Sequence, residues 1–268
     1  MRLSIVPQQK RDECAGTVRL APGEVHIWWA GLRVEGAELC ACWDSLAPDE
    51  ARQASRYRFP QACREFVARR AVLRQLLAQY SGRAAAELRF DLRADGKPVL
   101  KNEEGLHFSM SHSSGLAVVA VAHKPVGIDL EHVQALFGEA LMEQCLSDRE
   151  QCYVRALPAE QRNLALYRCW TRKEAVLKAL GTGLLYPPQQ VNVIAGTKKT
   201  CVVRLFSREW LVRQVAAPRG YAAAVAIEEP HGRLVCRSRK FPVETFFGRR
   251  SVRNSTPVAR SFEPQQIA

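Results

Sequence analysis

In the first half of the chain, the spacing of apolar residues alternates between the two-residue repeat of a strand and the 3.6-residue repeat of a helix. Residues 25–34 (VHIWWAGLRV) alternate well enough to predict a strand. Residues 63–80 carry apolar side chains at near 3.6 spacing, which predicts a long helix that ends at a Ser-Gly pair. Ser45 and Asp49, just upstream, are residue types that begin helices. Short strands are predicted after the long helix at 88–92, 107–110 and 117–122.

The second half of the chain repeats this mixture of periods, beginning with a strand at 126–131. Helices are then predicted at 140–154 and 160–180, and strands at 191–194, 202–206, 210–215 and 221–227. Two halves that each mix helices with strands predict an α/β (α+β) fold of two similar lobes, residues 1–123 and 124–228. Beyond residue 228 the apolar residues no longer show the regular spacing of a strand or a helix, so we predict a basic, flexible tail over 229–268.

Length and composition are those of a globular protein. With 268 residues and 47% hydrophobic composition, the chain can bury one large core or two lobes of about 100 residues each. No stretch approaches the roughly 20 apolar residues of a membrane-spanning helix, and the N-terminus lacks the apolar region of a signal peptide. Nine cysteines without a CxxC pair argue against a disulfide framework. We expect a monomeric, cytoplasmic protein with no membrane span.

The chain is strongly basic, with a net charge of +12. From residue 229 to the end, eight lysines and arginines stand against three acidic residues. A surplus of this size suits an anionic ligand but does not select one. A basic nucleic-acid-binding module without catalysis is therefore an alternative function. It has little support, because aromatic residues make up only 8% of the chain and no base-reading motif is evident, so we expect no specific nucleic-acid partner.

Two acidic residues alternate with apolar ones in the segment Gly-Ile-Asp-Leu-Glu at 127–131. On a strand, Ile128 and Leu130 would enter the core while Asp129 and Glu131 would emerge together on the other face. Carboxylates held side by side repel each other unless a hard cation lies between them. The alternative is an ordinary half-exposed strand with solvated acids.

A second candidate segment lies within the predicted helix at 160–180. Trp170, Glu174 and Lys178 are spaced at i, i+4 and i+8, so one helix face presents an aromatic ring, a carboxylate and an ammonium group. A surface Glu-Lys pair beside a core tryptophan is the alternative. Taken with Asp129 and Glu131, however, Glu174 completes a set of three carboxylates that suits Mg²⁺. Nearby lysines would suit phosphate oxygens.

The sequence at this point resembles a known family. The segment GIDLE at 127–131 followed by WTRKEAVLK at 170–178 is the paired signature of the 4′-phosphopantetheinyl transferases of the surfactin-synthetase type (group II). Three further motifs match the family in the same order: REFVARRAVLRQLL at 64–77, DGKP at 95–98 and HFSMSHSSG at 107–115. The resemblance implies the fold of that family, in which two pseudo-repeated lobes form the active site at their interface.

The resemblance also implies a reaction. Such enzymes transfer 4′-phosphopantetheine from coenzyme A to a serine of an acyl or peptidyl carrier protein and release 3′,5′-adenosine bisphosphate. As in a Mg²⁺-dependent holo-[acyl-carrier-protein] synthase, Asp129, Glu131 and Glu174 would hold the metal, with Mn²⁺ as an alternative ion. Glu174 or a metal-bound water would accept the serine proton. Lys178 would stabilise charge on the phosphate oxygens during transfer.

The resemblance also implies which residues bind the coenzyme. Six residues are expected to bind coenzyme A: Arg64, Arg70, Lys97, Ser111, His112 and Lys173. The arginines are assigned to the 3′-phosphate, with a solvated helix face as the alternative. For the histidine, the alternative is a hydrogen-bonded structural role, and the serine could instead only shape its turn. The absence of a GxSxG motif argues against a serine hydrolase.

Overall fold

The computed structural model describes residues 18–93, 96–134, 139–182, 185–193, 199–228 and 234–247. Within these ranges the strands are β1 (Glu24–Gly31), β2 (Phe90–Leu92), β3 (Pro98–Leu100), β4 (His107–Ser113), β5 (Leu116–Ala122), β6 (Val126–His132), β7 (Thr200–Leu205), β8 (Arg208–Val215), β9 (Tyr221–Glu228) and β10 (Val235–Lys240). The helices are α1 (Gly36–Asp44), α2 (Pro48–Ala54), α3 (Pro60–Ser81), α4 (Glu139–Cys145), α5 (Asp148–Arg155), α6 (Ala159–Leu180) and α7 (Val243–Phe247). None of these helices is long and apolar enough to cross a bilayer.

Two four-stranded sheets organise the molecule. The first has the order β10-β1-β5-β4 and the second the order β6-β9-β8-β7, while β2 and β3 form a separate hairpin. Neighbouring strands are antiparallel, except that β10 runs parallel to β1. The mixed α/β fold class predicted from the sequence is confirmed. The boundary between lobes at residue 123 stays a prediction, although β5 ends and β6 begins on either side of it.

A long helix covers one face of each sheet, and the opposite faces share a core. The 22-residue helix α3 packs on the first sheet and the 22-residue helix α6 on the second. A third apolar cluster joins the two sheets and includes Val25 and Ile27 of β1 with Ile128 and Leu130 of β6. The predicted burial of Ile128 and Leu130 is therefore confirmed, and burial of this apolar surface is the main force that holds the sheets together.

Serine hydroxyls join the two sheets where β4 lies beside β6. The Ser109 hydroxyl accepts the Ile128 N–H at 3.1 Å, and the Ser113 hydroxyl accepts the His132 N–H at 3.0 Å. These side-chain bonds satisfy backbone donors of β6 that face β4. The corner motif at 107–115 and the acidic strand, which are separate in sequence, are thereby held side by side.

Gly127 lets α6 approach β6 more closely than any side chain would allow. A Cβ atom at this position would lie 2.0 Å from the carbonyl oxygen of Ala175 and 2.4 Å from the amide nitrogen of Ala179. Only glycine avoids both clashes with helix backbone. The close approach sets the height of α6 above β6 and so places the side chains of Glu174 and Lys178 next to the strand that carries Asp129.

Several sequence predictions need correction. The predicted helix at 140–154 is two helices, because the Ser147 hydroxyl accepts the Glu150 N–H at 3.4 Å and starts a new helix there. Helix α1 was not predicted. Residues 191–193, the described part of the strand predicted at 191–194, follow a short 3₁₀ turn and contain no strand.

The prediction of a flexible tail over 229–268 is wrong for its described part, 234–247. Strand β10 pairs with β1, and α7 follows it. Phe241 is fully buried, and Val243 and Phe247 belong to the same apolar core of the first sheet. This segment therefore completes the first sheet and its core. Residues 229–233 and 248–268 lie outside the described ranges.

Candidate active site

Three elements meet around the carboxylate of Asp129. The Ser111 hydroxyl on β4 donates to Asp129 Oδ1 at 2.9 Å. The Lys178 ammonium on α6 lies 2.6 Å from the same oxygen and 3.0 Å from Ser111 Oγ. Asp129 is almost fully buried, so the ammonium supplies the opposite charge that a buried carboxylate requires. Two of the predicted site residues, Ser111 and Lys178, thus lie against a third.

The carboxylates of Glu174 and Glu131 interact electrostatically with Asp129 and Lys178. Burial raises the pKa of Glu174 from 4.5 to about 7; Lys178 opposes this rise, and the charges of Asp129 and Glu131 add to it. Burial, followed by the charge of Asp129, also raises the pKa of Glu131, while a hydrogen bond from Trp170 opposes this rise. The predicted carboxylates are therefore close enough to influence one another's protonation.

The carboxylates offer oxygen atoms suited to a hard cation. Asp129 Oδ2 and Glu174 Oε1 are buried acceptors that no donor in the described residues satisfies. Unsatisfied buried carboxylate oxygens are costly, and Mg²⁺ and Mn²⁺ both prefer such ligands. Among the described residues, no group of three acidic, histidine or cysteine side chains is arranged so that it could hold a metal ion. The two unsatisfied oxygens are thus of the chemical type that a divalent cation binds.

A cavity of about 670 Å³ opens beside this group, between α2, α3, the β2–β3 hairpin, β4 and the end of α6. Its basic lining side chains are Arg69, Arg70, Lys97, His112 and Lys178. Its apolar lining side chains are Phe66, Leu73, Phe90, Leu92, Pro98, Phe108 and Met110. Ser111 and Lys178 line the cavity and also contact Asp129, so they connect it to the carboxylates. Cations beside aromatic rings suit a ligand with phosphates and a flat base.

Lys97 lines the cavity, but its ammonium bonds to the backbone. It donates to the carbonyl of Val126 at 2.9 Å and to the carbonyl of Lys178 at 2.6 Å. The second carbonyl belongs to the last turn of α6, where a cation both satisfies an orphan acceptor and complements the helix dipole. Lys97 thus ties the β2–β3 hairpin to α6 and β6. Its predicted phosphate contact stays a prediction, since two carbonyls occupy only two of the three N–H groups of an ammonium.

The arginines of α3 differ from one another in their partners. Arg70 donates through Nε to Glu50 Oε1 at 2.7 Å, and Arg74 donates to the other oxygen of this buried carboxylate at 2.6 Å. Arg69 instead contacts Nε2 of His112, and burial together with Arg69 lowers the pKa of that histidine. Arg64 is exposed and does not line the cavity, so the structure does not bring it to the other predicted residues.

The prediction that Lys173 binds coenzyme phosphates is wrong. Its ammonium is fully buried in the second lobe, 2.6 Å from Glu150 Oε2 and bonded to the carbonyls of Pro188 and Val191. Glu150 also accepts the Val193 N–H at 2.9 Å. With all of its hydrogens engaged away from the cavity, Lys173 links α5, α6 and the following loop.

Sequence reasoning missed two buried carboxylates that support the site. Glu50 and Glu150 each occupy the third position of a helix and accept the backbone N–H of the residue preceding that helix, Ala47 and Ser147 respectively. Each is also paired with a cation on the long helix of its own lobe. For Glu150, the sequence contains a capping signal, Ser-x-x-Glu at 147–150. For Glu50, it contains none, because the residue before that helix is Ala47.

Comparisons with known proteins cover both lobes. Residues 125–226 match the family model "4'-phosphopantetheinyl transferase superfamily". Residues 33–124 match the model "4'-phosphopantetheinyl transferase, N-terminal". Together the two matches include the cavity, the carboxylates and the cations described above.

Individual relatives share these matches. The chain is 38% identical over 170 residues to the 4'-phosphopantetheinyl transferase HetI of a Nostoc species, covering 62% of this chain and 72% of that protein. It is 27% identical over 186 residues to the 4'-phosphopantetheinyl transferase psf-1 of Bacillus pumilus, covering 65% and 79%. The L-aminoadipate-semialdehyde dehydrogenase-phosphopantetheinyl transferase of Mus musculus is 25% identical over 222 residues, covering 73% and 71%.

Proposed function

The chain belongs to the 4′-phosphopantetheinyl transferase superfamily, and we propose that it transfers the 4′-phosphopantetheine arm of coenzyme A to a carrier-protein serine where β4, β6 and α6 meet. The observation that carries this assignment is the contact of Lys178 and Ser111 with Asp129 at the wall of a basic and aromatic cavity. The comparisons give no support to the nucleic-acid-binding alternative.

Asp129, Glu131 and Glu174 are the residues proposed to hold Mg²⁺, or Mn²⁺ in its place. The buried acceptors Asp129 Oδ2 and Glu174 Oε1 support this assignment. When bound, the ion would neutralise charge on the pyrophosphate of coenzyme A. Ser111 donates to Oδ1 of Asp129, while Oδ2 has no hydrogen-bond donor among the described residues.

Glu174 is proposed to accept the proton of the carrier serine. In the metal-free protein the pKa of Glu174 is about 7, so this carboxylate is there a stronger base than an ordinary glutamate. Lys178, whose ammonium lines the cavity, is proposed to stabilise the phosphate oxygens during the transfer. Both residues stand on α6, so one rigid helix positions them together.

Coenzyme A is proposed to occupy the cavity, with Arg70, Lys97, Ser111 and His112 along its wall. The carrier is proposed to be an acyl or peptidyl carrier protein, as for a holo-[acyl-carrier-protein] synthase. The monomeric state, the cytoplasmic location and the division into lobes at residue 123 remain predictions from the sequence.

The proposal is tested by incubating the full chain with coenzyme A, Mg²⁺ and a panel of apo-carrier proteins. Mass spectrometry is expected to show one phosphopantetheine on one serine of at least one carrier, with 3′,5′-adenosine bisphosphate released in equal amount. The variant Asp129→Asn is the matched control, since it keeps the shape of the side chain and removes its charge. A chain that binds coenzyme A but modifies no acyl or peptidyl carrier would contradict the proposal.

A further inference from the structure

The segment that joins α2 to α3 is exposed and strongly basic. Residues 51–61 (ARQASRYRFPQ) include three arginines and no aspartate, glutamate or lysine, and every residue from 55 to 61 is exposed. Two aromatic rings stand beside the arginines, since Tyr57 is 38% exposed and Phe59 is 74% exposed. The name linker patch is used below for four of these residues: Arg56, Tyr57, Arg58 and Phe59.

The arginines of the linker patch carry charge that the protein does not neutralise. Among the described residues, neither Arg56 nor Arg58 has a carboxylate within ion-pair distance. Arg155, which is also exposed, pairs with Glu139 instead. Two unpaired guanidinium groups so close in sequence make this part of the surface attractive to an anionic partner.

The backbone of the linker patch is fixed by hydrogen bonds at both of its ends. The N–H of Arg56 donates to the carbonyl of Gln53 at 3.1 Å, and the carbonyl of Phe59 accepts the N–H of Cys63 at 3.1 Å. Pro60 is the first residue of α3, and its ring fixes the direction in which the chain enters that helix. A partner would therefore lose little affinity by ordering this segment.

The linker patch adjoins the cavity but lies outside it. The centre of the Tyr57 ring is 5.3 Å from that of Phe66, which lines the cavity. The side chains of Arg56, Arg58 and Phe59 do not line the cavity, so a coenzyme bound there would leave them uncovered. A second molecule that approaches the cavity from this side would meet them. In the proposed reaction that second molecule is the carrier protein.

We propose that the linker patch binds the carrier protein, and that the carrier presents acidic side chains and an apolar side chain to it. This inference rests on the proposed function, because the carrier must approach the cavity for its serine to receive the arm. Aromatic residues and arginine are enriched at protein interfaces, whereas lysine, glutamate and aspartate are depleted, as they are in residues 51–61. Arg56 and Arg58 would pair with carboxylates of the carrier, and Phe59 would pack against its apolar side chain.

Steady-state transfer with a varied carrier concentration and saturating coenzyme A tests the contact. Arg58→Glu is expected to raise the KM for the carrier by about 10- to 100-fold, because it places like charges opposite each other. Phe59→Ala is expected to raise it by about 10-fold through the loss of an aromatic anchor. The control is Arg19→Glu, an exposed position beside the other end of α3, where the Val18 N–H donates to the Gln79 carbonyl. It is expected to leave this KM unchanged.

Two further readouts separate docking from a structural role. All three variants are expected to keep the wild-type KM for coenzyme A and the wild-type melting temperature, since each side chain is exposed and outside the cavity. Added salt is expected to raise the carrier KM of the wild type, because it screens opposite charges. The variant Arg56→Glu/Arg58→Glu is expected to lack this dependence, since the attraction that salt screens has been removed.

A charge exchange tests whether the contact is direct. Acidic residues near the modified serine of the carrier are replaced by lysine one at a time. At least one such carrier is expected to be a poorer substrate for the wild type and a better one for Arg58→Glu than the unaltered carrier is. The absence of any such exchange would contradict a direct ion pair between Arg58 and the carrier.

The outcomes separate this inference from the proposed function. A wild type that modifies a carrier, with the same carrier KM after Arg58→Glu and after Phe59→Ala, would contradict the docking role alone. An equal rise in the KM for coenzyme A would also contradict it, because the linker patch would then act through the cavity. A gel shift of single-stranded RNA that Arg58→Glu abolishes, with an unchanged carrier KM, would assign the linker patch to nucleic acid instead. A wild type that modifies no carrier would overturn the inference and the proposed function together.

Discussion

The ammonium of Lys178 lies 2.6 Å from Oδ1 of Asp129, and this contact joins the last turns of α6 to the middle of β6. The two residues are 49 positions apart in sequence. Their meeting depends on two features of the fold, the glycine that lets the helix approach and the strand that points Asp129 towards it. The oxygen that Lys178 leaves free, Oδ2, is the one proposed for the metal.

Replacing Gly127 with alanine is expected to displace α6 from β6. The new methyl group would clash with two backbone atoms of the helix, which cannot move aside as a side chain could. We expect a loss of about 1–3 kcal/mol in the free energy of unfolding. Transfer should fall by about 100-fold, because a shift of about 1 Å misplaces Glu174 and Lys178.

Denaturant unfolding and steady-state transfer measure the two effects of Gly127→Ala. Gly31→Ala is the matched control, since a Cβ atom there meets nothing within 4 Å. Wild-type activity and stability in Gly127→Ala would show that the close approach of helix and strand does not matter.

Glu174 is expected to make the stability of the metal-free protein depend on pH. Its pKa in the folded chain is about 7, above the ordinary 4.5, so the folded state holds the proton more tightly. The resulting stabilisation is complete below the ordinary pKa and disappears as pH rises through about 7. Melting temperatures should therefore fall across this range more steeply for the wild type than for Glu174→Gln. Parallel curves for the two proteins would refute the raised pKa.

Lys173 is expected to matter for stability and not for coenzyme binding. Lys173→Ala would leave Glu150 charged, buried and without its ion-pair partner, at a cost of about 3–5 kcal/mol in the free energy of unfolding. The double variant Glu150→Gln/Lys173→Met removes both charges and should recover part of that loss. Urea unfolding measures stability, and calorimetry measures coenzyme A affinity in the double variant. A folded double variant with greatly weakened coenzyme binding would restore the phosphate role to Lys173.

Removal of residues 235–268 is expected to destabilise the protein severely. It deletes β10 and the fully buried Phe241, and a buried Phe→Ala change alone costs about 3–5 kcal/mol. A chain that ends after Phe247 keeps every described contact and is the control. Circular dichroism during heating distinguishes the two. A cooperative melt at the wild-type temperature after the longer deletion would mean that β10 and α7 add nothing to the core.

The sequence predicts the part of the site that depends on local periodicity. Alternation along a strand put Asp129 and Glu131 on the face opposite Ile128, and helical spacing put Glu174 and Lys178 on one face of α6. The same helical geometry explains the error at Lys173: it is adjacent to Glu174 in sequence, so its side chain points about 100° away around the helix axis. A sequence motif identifies such a residue but does not tell which way its side chain points.

Long-range pairing accounts for the other differences. Strand β10 lies at the edge of its sheet, and its sequence, VCRSRK, has few apolar residues. It therefore lacks the alternation of apolar and polar residues that would have predicted a strand. Its partner β1 lies about 200 positions earlier in the chain. Likewise, the acceptors of Lys97 are backbone carbonyls of β6 and α6, which no side-chain pattern can indicate. Such contacts exist only after the elements have packed together.

The dependence of transfer on a divalent cation at the Asp129 carboxylate is the most direct test of the mechanism. The measurement is the mass of an apo-carrier protein after incubation with coenzyme A and the full chain, in Mg²⁺ or in excess chelator. Complete modification is expected for the wild type in Mg²⁺, and none in chelator or with Asp129→Asn in either buffer. Equal modification in Mg²⁺ and in chelator, or an active Asp129→Asn variant, would contradict the proposed site.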